Sequence, residues 1–325
     1  MTRWILTISL LGVGFYDFLA YRAADPATWQ DVLHGTAPAP QQYRVAIVDF
    51  AFFLAQHLHI SIATCFAGID TISALAAGFV LLHLLEESPI YRKSSTESQY
   101  FANAAFLFLL LFYLLWLFPQ RAETLPSTLY VALTMWLWLR RTTSAAKNIV
   151  VAIALLALGF LQSWIRADVV CLLSFGGLMT TLGSPERRLV WKRWLAGATS
   201  LTTMIAAYLT QAYLSKVLYP EASYGRVKLW QLRPNLIHAT RWPPFLIFMT
   251  PVAWALLQIV RRRYKVNTAE LALIVGSLGY FVIWMCFGKA DEMRIFIPFA
   301  IALMPLTIQL LLARVASVKA NQVED

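Results

Sequence analysis

The sequence predicts an all-α polytopic membrane protein with about ten transmembrane helices, and three observations lead there. Hydrophobic residues make up 59% of the 325 positions and charged residues only 14%, with a mean hydropathy of +0.61. That balance lies outside the soluble globular range. The apolar runs are each roughly 15 to 22 residues long, close to the ~20 a helix needs to cross about 30 Å of hydrocarbon. Polar loops separate them, and the alternation that would mark the strands of a membrane barrel is missing.

The first run, MTRWILTISLLGVGF, has the charged start and apolar body of a signal peptide. Its apolar stretch continues to about Leu19, and Tyr21 and Arg22 spoil the small-residue pattern of a cleavage site, so an uncleaved first helix is expected. Arg44 to Leu85 is too long for a single crossing and carries Asp49, His57 and His59 in its first half. Further spans fall near residues 99–118, 128–140, 149–163, 169–183, 195–216, 244–260, 269–287 and 295–313.

Charge orients them. Arg92 and Lys93, then Arg140, Arg141 and Lys147, then Arg187, Arg188, Lys192 and Arg193, then Arg261, Arg262, Arg263 and Lys265 all fall on one face, which the positive-inside rule makes cytoplasmic. The loops 119–127, 164–168, 216–244 and 288–294 are then exterior. With Met1 inside, only one crossing fits between Asp17 and Glu86. The half bearing Asp49, His57 and His59 therefore reads as an interfacial helix, which keeps those groups in water. Val45, Val48, Phe52, Phe53 and Leu58 would cover its apolar side.

The resulting architecture is a single transmembrane domain over residues 1–325 with both ends cytoplasmic. An exterior region at 20–66 contains one or two interfacial helices, and 216–244 forms a long exterior loop. Placing Met1 outside instead makes 45–64 a span and raises the count to eleven.

The net charge of +10 is spread in short clusters between apolar runs, where it orients helices and meets anionic lipid, so nucleic acid is not an expected partner. Cys65, Cys171 and Cys286 show no CxxC spacing and read as small hydrophobes. His57 and His59, two apart, do not share a helix face, so neither a metal nor another cofactor is expected. No Walker loop, HExxH or GxSxG is present.

Polar residues at exterior helix ends gather in few places. Asp17 closes the first helix in GFYDFLAYRAA, and Arg44 opens the interfacial helix in APAPQQYRVAIVDF. Arg166 and Asp168 lie in IRAD, His238 and Arg241 end the long loop, and Glu292 and Arg294 lie in KADEMRIFIP. Charges at membrane depth are costly and mark function. Local pairing at helix ends is the structural alternative for Arg166 with Asp168 and for Glu292 with Arg294.

YDFLAY, HGTAPAPQQYRVAIV and KADEMRIFIPF, set in this topology, resemble the GT-C superfamily of integral membrane glycosyltransferases. The likeness is architectural over the whole chain and carried by short motifs. It departs from the family in lacking a DxD or ExD in the first loop, which leaves metal dependence open. The resemblance implies transfer of a sugar from a polyprenyl-phosphate donor to a carbohydrate or lipid acceptor at the exterior face of a bacterial inner membrane. Asp17 would be the general base. Arg44, Arg166 or Arg294 would hold the lipid phosphate, with Asp168, His238, Arg241 and Glu292 completing the substrate site.

Trp230, Trp242 and Tyr224 could stack on sugar or lipid, or simply anchor in the interface. A transporter or flippase of a lipid-linked or anionic solute competes with this reading, with Asp70, Gln211 and Gln258 as its polar candidates. A non-catalytic subunit of a polysaccharide assembly complex is the third possibility.

Overall fold

A computed structural model describes residues 2–24, 27–39, 41–117, 121–139, 144–183, 190–222, 230–261 and 266–324. Over these residues the chain is helical without a strand. The helices are α1 (Thr2–Ala23), α2 (Ala27–Leu33), α3 (Val45–Leu58), α4 (Ile62–Glu87), α5 (Pro89–Lys93), α6 (Thr96–Leu114), α7 (Thr124–Leu139), α8 (Ala145–Gly183), α9 (Val190–Tyr213), α10 (Leu232–Ile237), α11 (Trp242–Val260), α12 (Thr268–Phe287) and α13 (Ile297–Glu324). Among the described residues seven helical segments are long and apolar enough to cross a membrane, with α8 counted as one. The chain is a polytopic helical membrane protein.

Antiparallel packing of α1 on α4 sets the frame. At one end Arg3 pairs with Glu86 at 2.9 Å, and toward the other the Tyr21 hydroxyl donates to Asp70 Oδ2 at 2.7 Å. Thr71 fits where Gly14 has no side chain, since a Cβ there would stand 1.9 Å from its Oγ1. Between the two helices α2 and α3 stay at the Tyr21 end. They form a satellite core in which Tyr21 and Trp29 meet Phe66. Ser61 caps the start of α4, accepting from Thr64 N at 3.2 Å, and separates it from α3.

The 14-residue α3 is a helix separate from α4 and shorter than the seven segments long enough to cross, and its packed face differs from the expected one. Val45, Ile47, Val48 and Ala51 are buried, whereas Phe53 and Leu58 are 52% and 57% exposed. The helix is held by α2, α4 and α8 on one side, so the inward stripe follows the protein and Phe50, Phe53 and Leu58 face outward. The His57 ring rests on Phe53 at 4.0 Å, and His59 takes a left-handed conformation that ends the helix.

At Arg166 α8 folds back on itself, where one residue has extended backbone (φ −163°, ψ 92°). A Cβ on Gly159 would meet Thr203 at 2.0 Å, and one on Gly197 would meet Thr181 at 3.1 Å. In a straight helix residues 159 and 181 would lie about 33 Å apart, while 197 and 203 are separated by only about 9 Å. Both arms of α8 therefore run beside α9. The second arm crosses α12 backbone to backbone: a Cβ on Gly176 would sit 1.9 Å from the Ala272 carbonyl oxygen, and one on Gly276 would sit 1.8 Å from that of Leu172. Small residues at such a crossing let helices approach closely.

Last in the chain, α13 is central in the fold. From Ile297 to Ile308 nearly every described side chain is buried, and the helix packs on α4, α5, α6, α7, α11 and α12. A helix apolar on all sides belongs inside other helices. Of the expected cytoplasmic cations, Arg140, Arg141, Arg187, Arg188, Arg262, Arg263 and Lys265 lie outside the described residues, as does Tyr224 of the long loop.

Candidate functional site: an arginine-lined cavity at one end of the bundle

Four chain segments meet at the end of the bundle where α1 finishes. The first leads into α3. Gln42, fully buried, accepts from Ala37 N at 3.0 Å and donates to the Val32 carbonyl at 2.9 Å, while the Tyr43 hydroxyl donates to the Ala222 carbonyl at 3.0 Å. These bonds fix the residue that follows, Arg44. The second is the turn Arg121–Glu123 at the head of α7, closed by Thr124 N on the Arg121 carbonyl at 3.0 Å. Gln162 Nε2 ties that head to the fold of α8, reaching Ser127 Oγ at 2.8 Å and the Arg166 carbonyl at 3.2 Å.

The third is the fold of α8 itself. Arg166 is buried, and its Nε donates to both oxygens of Asp168 at 3.1 and 3.0 Å. Its Nη2 reaches Asp168 Oδ2 at 3.0 Å and the Tyr280 oxygen at 2.6 Å. Trp284 Nε1 donates to Asp168 Oδ2 at 3.1 Å, and the Trp284 ring lies 5.8 Å from the guanidinium carbon. A bidentate, charge-assisted pair of this kind holds a guanidinium rigidly.

The fourth is the loop between α12 and α13, organised by Asn235 of α10. Its Nδ2 donates to the Met285 and Gly288 carbonyls at 2.9 and 2.8 Å; its Oδ1 accepts from Ala290 N at 3.0 Å and Arg241 Nη1 at 2.8 Å. All four bonding positions of this fully buried amide are used. Arg241 therefore stabilises the loop, and it also lies 3.5 Å from Asp291. Glu292 and Arg294 pair at 3.0 Å.

A cavity of about 530 Å³ lies among these segments, lined by Arg44, Arg121, Glu123, Arg166, Lys289, Glu292 and Arg294 together with Gln231, Trp284 and Phe287. Five cations against two carboxylates leave a formal excess of three positive charges. A second cavity of about 510 Å³ extends between α8 and α9 along Ala167, Cys171, Met204, Ala207 and Tyr208. Arg44, Arg166 and Trp284 line both.

The buried Glu123 and the partly buried Arg44 form an ion pair in the cavity wall. Burial pushes the Glu123 carboxyl upward, but Arg44 foremost, then its own backbone N–H, Arg166 and Arg121, hold it below the ordinary range. A depressed carboxyl contributes stability above its unfolded value and loses it as pH falls through the folded one.

Of the sequence-predicted residues, the structure brings Arg44, Arg166, Glu292 and Arg294 to one cavity, with Asp168 on its neighbour. Arg241 acts behind the loop, and His238 is exposed at the end of α10. Asp17 lines neither of these two cavities. Helix α1 continues to Ala23, past the expected end near Leu19, so Asp17 lies within the bundle one turn before Tyr21. It is fully buried there on the side of Asp70.

Arg121, Glu123, Lys289 and Asn235 were not among the expected residues. A signal for two of them exists in the sequence: acid and arginine stand two apart in Arg121-Ala-Glu123, Arg166-Ala-Asp168 and Glu292-Met-Arg294, all at expected exterior helix ends. Among the described residues no group of three or more His, Cys, Asp or Glu is placed to hold a metal ion. Comparison with family models, with curated proteins and with solved structures gives no match.

Proposed function

We propose that this protein is a membrane glycosyltransferase that moves a sugar from a polyprenyl-phosphate donor to a carbohydrate or lipid acceptor at the exterior face. The observation that carries the reading is the convergence of Arg44, Arg121, Arg166 and Arg294 on one cavity at the end of an apolar bundle. Guanidinium groups bind phosphate oxygens in pairs of parallel hydrogen bonds and counter the charge of a departing phosphate. The second cavity, which shares Arg44, Arg166 and Trp284 with the first and is otherwise lined mostly by apolar residues, suits a donor that is part lipid. The carboxylates positioned to take an acceptor proton are Glu123 and Glu292 in place of Asp17.

This reading takes α1, α4, α6, α7, the two arms of α8, α9, α11, α12 and α13 as ten crossings. Arg3, Glu86, Arg92 and Lys93 then stand at the cytoplasmic end with both termini, and the cavity opens outside. An architecture with a non-crossing helix in the first exterior region is what a GT-C enzyme requires. A cysteine in place of the exposed Gln56 of α3 will react with a membrane-impermeant maleimide added outside intact cells; protection by the bilayer would restore the eleven-span alternative.

In proteoliposomes supplied with a radiolabelled polyprenyl-phosphate-linked sugar and candidate acceptors, the protein should form a new glycosidic product, and Arg44→Gln should lose at least about 100-fold in rate, the equivalent of roughly 2.7 kcal/mol of transition-state stabilisation. Flux of label without any covalent product would favour the transporter reading. One observation speaks for that alternative: Asp17 and Asp70 are buried inside the bundle between α1 and α4, where ionisable groups commonly mark a solute or proton path.

A further inference from the structure

Three acid and arginine pairs stand two residues apart around the cavity, and two of them close on themselves: Arg166 on Asp168 and Arg294 on Glu292. The third does not. Glu123 turns from Arg121 and pairs with Arg44, 79 positions away. Arg121 Nε is left buried without a hydrogen bond among the described residues. Arg44 and Glu123 both line the cavity that the arginines make attractive to anions, so an anion bound there competes with Glu123 for the same guanidinium.

Resting on the glycosyltransferase reading, we propose that the Arg44–Glu123 pair is an interlock: an anionic phosphate in the cavity draws Arg44 onto itself and releases Glu123 as the carboxylate that receives the acceptor proton. Before the anion arrives, Arg44 holds Glu123 ionised and occupied. After it, burial remains, the strongest opposing charge is shared with the phosphate, and the proton affinity of the carboxylate rises. The base then becomes competent only when the leaving group is in place.

In the transfer step the acceptor O–H gives its proton to a Glu123 carboxylate oxygen. The acceptor oxygen bonds to the anomeric carbon as the bond from that carbon to the phosphate oxygen breaks. The electron pair leaves on the lipid phosphate, whose added charge meets Arg44, Arg166 and Arg121. No other reactant is required.

The groups facing Glu123 come from several elements. Arg121 belongs to its own turn, Arg44 to the head of α3, Arg166 to the fold of α8 and Arg294 to the turn before α13, while Tyr21 of α1 and Asp70 of α4 lie behind it. Lys289 and Glu292 share the cavity. Any measured proton must therefore be assigned by substitution.

Sulfate is the probe, because it remains a dianion through the range in which carboxylates titrate. Titration calorimetry of the full chain in lipid nanodiscs, in two buffers of different ionisation heat near about pH 5, reads protons taken up per sulfate bound. The wild type is expected to take up a measurable fraction of a proton, Glu123→Gln distinctly less, and Asp291→Asn, whose carboxyl lines neither cavity, the wild-type amount. Glu123→Asp keeps a titrating carboxyl if the glutamine variant does not fold, and its uptake should be smaller than wild type because its shorter chain loosens the hold of Arg44. Sulfate binding without proton uptake, or uptake undiminished in Glu123→Gln or lost in Asp291→Asn, overturns the interlock and leaves the phosphate-binding cavity standing. Failure of sulfate to bind at all overturns both.

Discussion

Arg166→Gln is expected to abolish sulfate binding in the cavity and to lower the unfolding free energy by about 3 kcal/mol, the lower end of the cost of breaking a buried ion pair. The lower end applies because Asp168, the partner left behind, is 29% exposed and keeps some access to water. The substitution removes the bonds to both Asp168 oxygens and the contact with Tyr280, which anchor the residue at which α8 turns with an extended backbone. Arg166→Lys retains the charge but cannot span both oxygens of Asp168 while touching Tyr280, so it should recover little of the binding. Thermal unfolding in detergent and sulfate calorimetry read the two effects separately. Wild-type sulfate affinity in either variant would remove Arg166 from the site.

The second large effect lies away from the cavity. Gly276→Val should lower stability by about 3 kcal/mol or more, the upper range for overpacking, because the added atoms meet the Leu172 carbonyl and the backbone at Gly176. A side chain can rotate aside; a helix backbone cannot. Relief requires α12 to move off α8, carrying Tyr280 and Trp284 from Arg166 and Asp168, so anion binding should weaken with the fold. Gly12→Ala and Gly68→Ala are the controls. A Cβ at either position meets nothing within 4 Å, and the gain in helix propensity of up to about 1 kcal/mol should leave these variants at least as stable as wild type. Equal melting of the Gly276 variant and the controls would disprove the backbone crossing.

Much of the fold was legible from local signals. The apolar runs located the long helices, the awkward length of Arg44 to Leu85 separated α3 from α4, and the polar IRAD segment marked the fold within α8. Arg44, Arg166, Glu292 and Arg294 were found because charge at an expected exterior helix end is costly and therefore conspicuous. Asp17 was misplaced by the same reasoning. The extent of α1 beyond Leu19 depends on Tyr21 being buried against Phe66 and Asp70, a contact between α1 and α4 that the hydropathy of α1 does not contain.

The outward turn of Phe53 and Leu58 has a related cause. Their spacing with Val45 and Val48 would select one buried face for an isolated amphipathic helix. Packing against α2, α4 and α8 then decides which stripe turns inward.

By itself the amino-acid sequence determined the solvent of this protein, the approximate ends of its helices and the set of charges collected at one end of the bundle. Each of these follows from the transfer free energy of short runs of residues between water and hydrocarbon, which is additive along the chain. Only the tertiary structure decided that Glu123 pairs with Arg44 while Arg166 and Arg294 pair locally, that Asn235 holds the loop before α13, and that α13 is the central helix. Those outcomes depend on distances of a few ångströms between residues far apart in the sequence, 79 positions for Arg44 and Glu123 and more for α13 on α4.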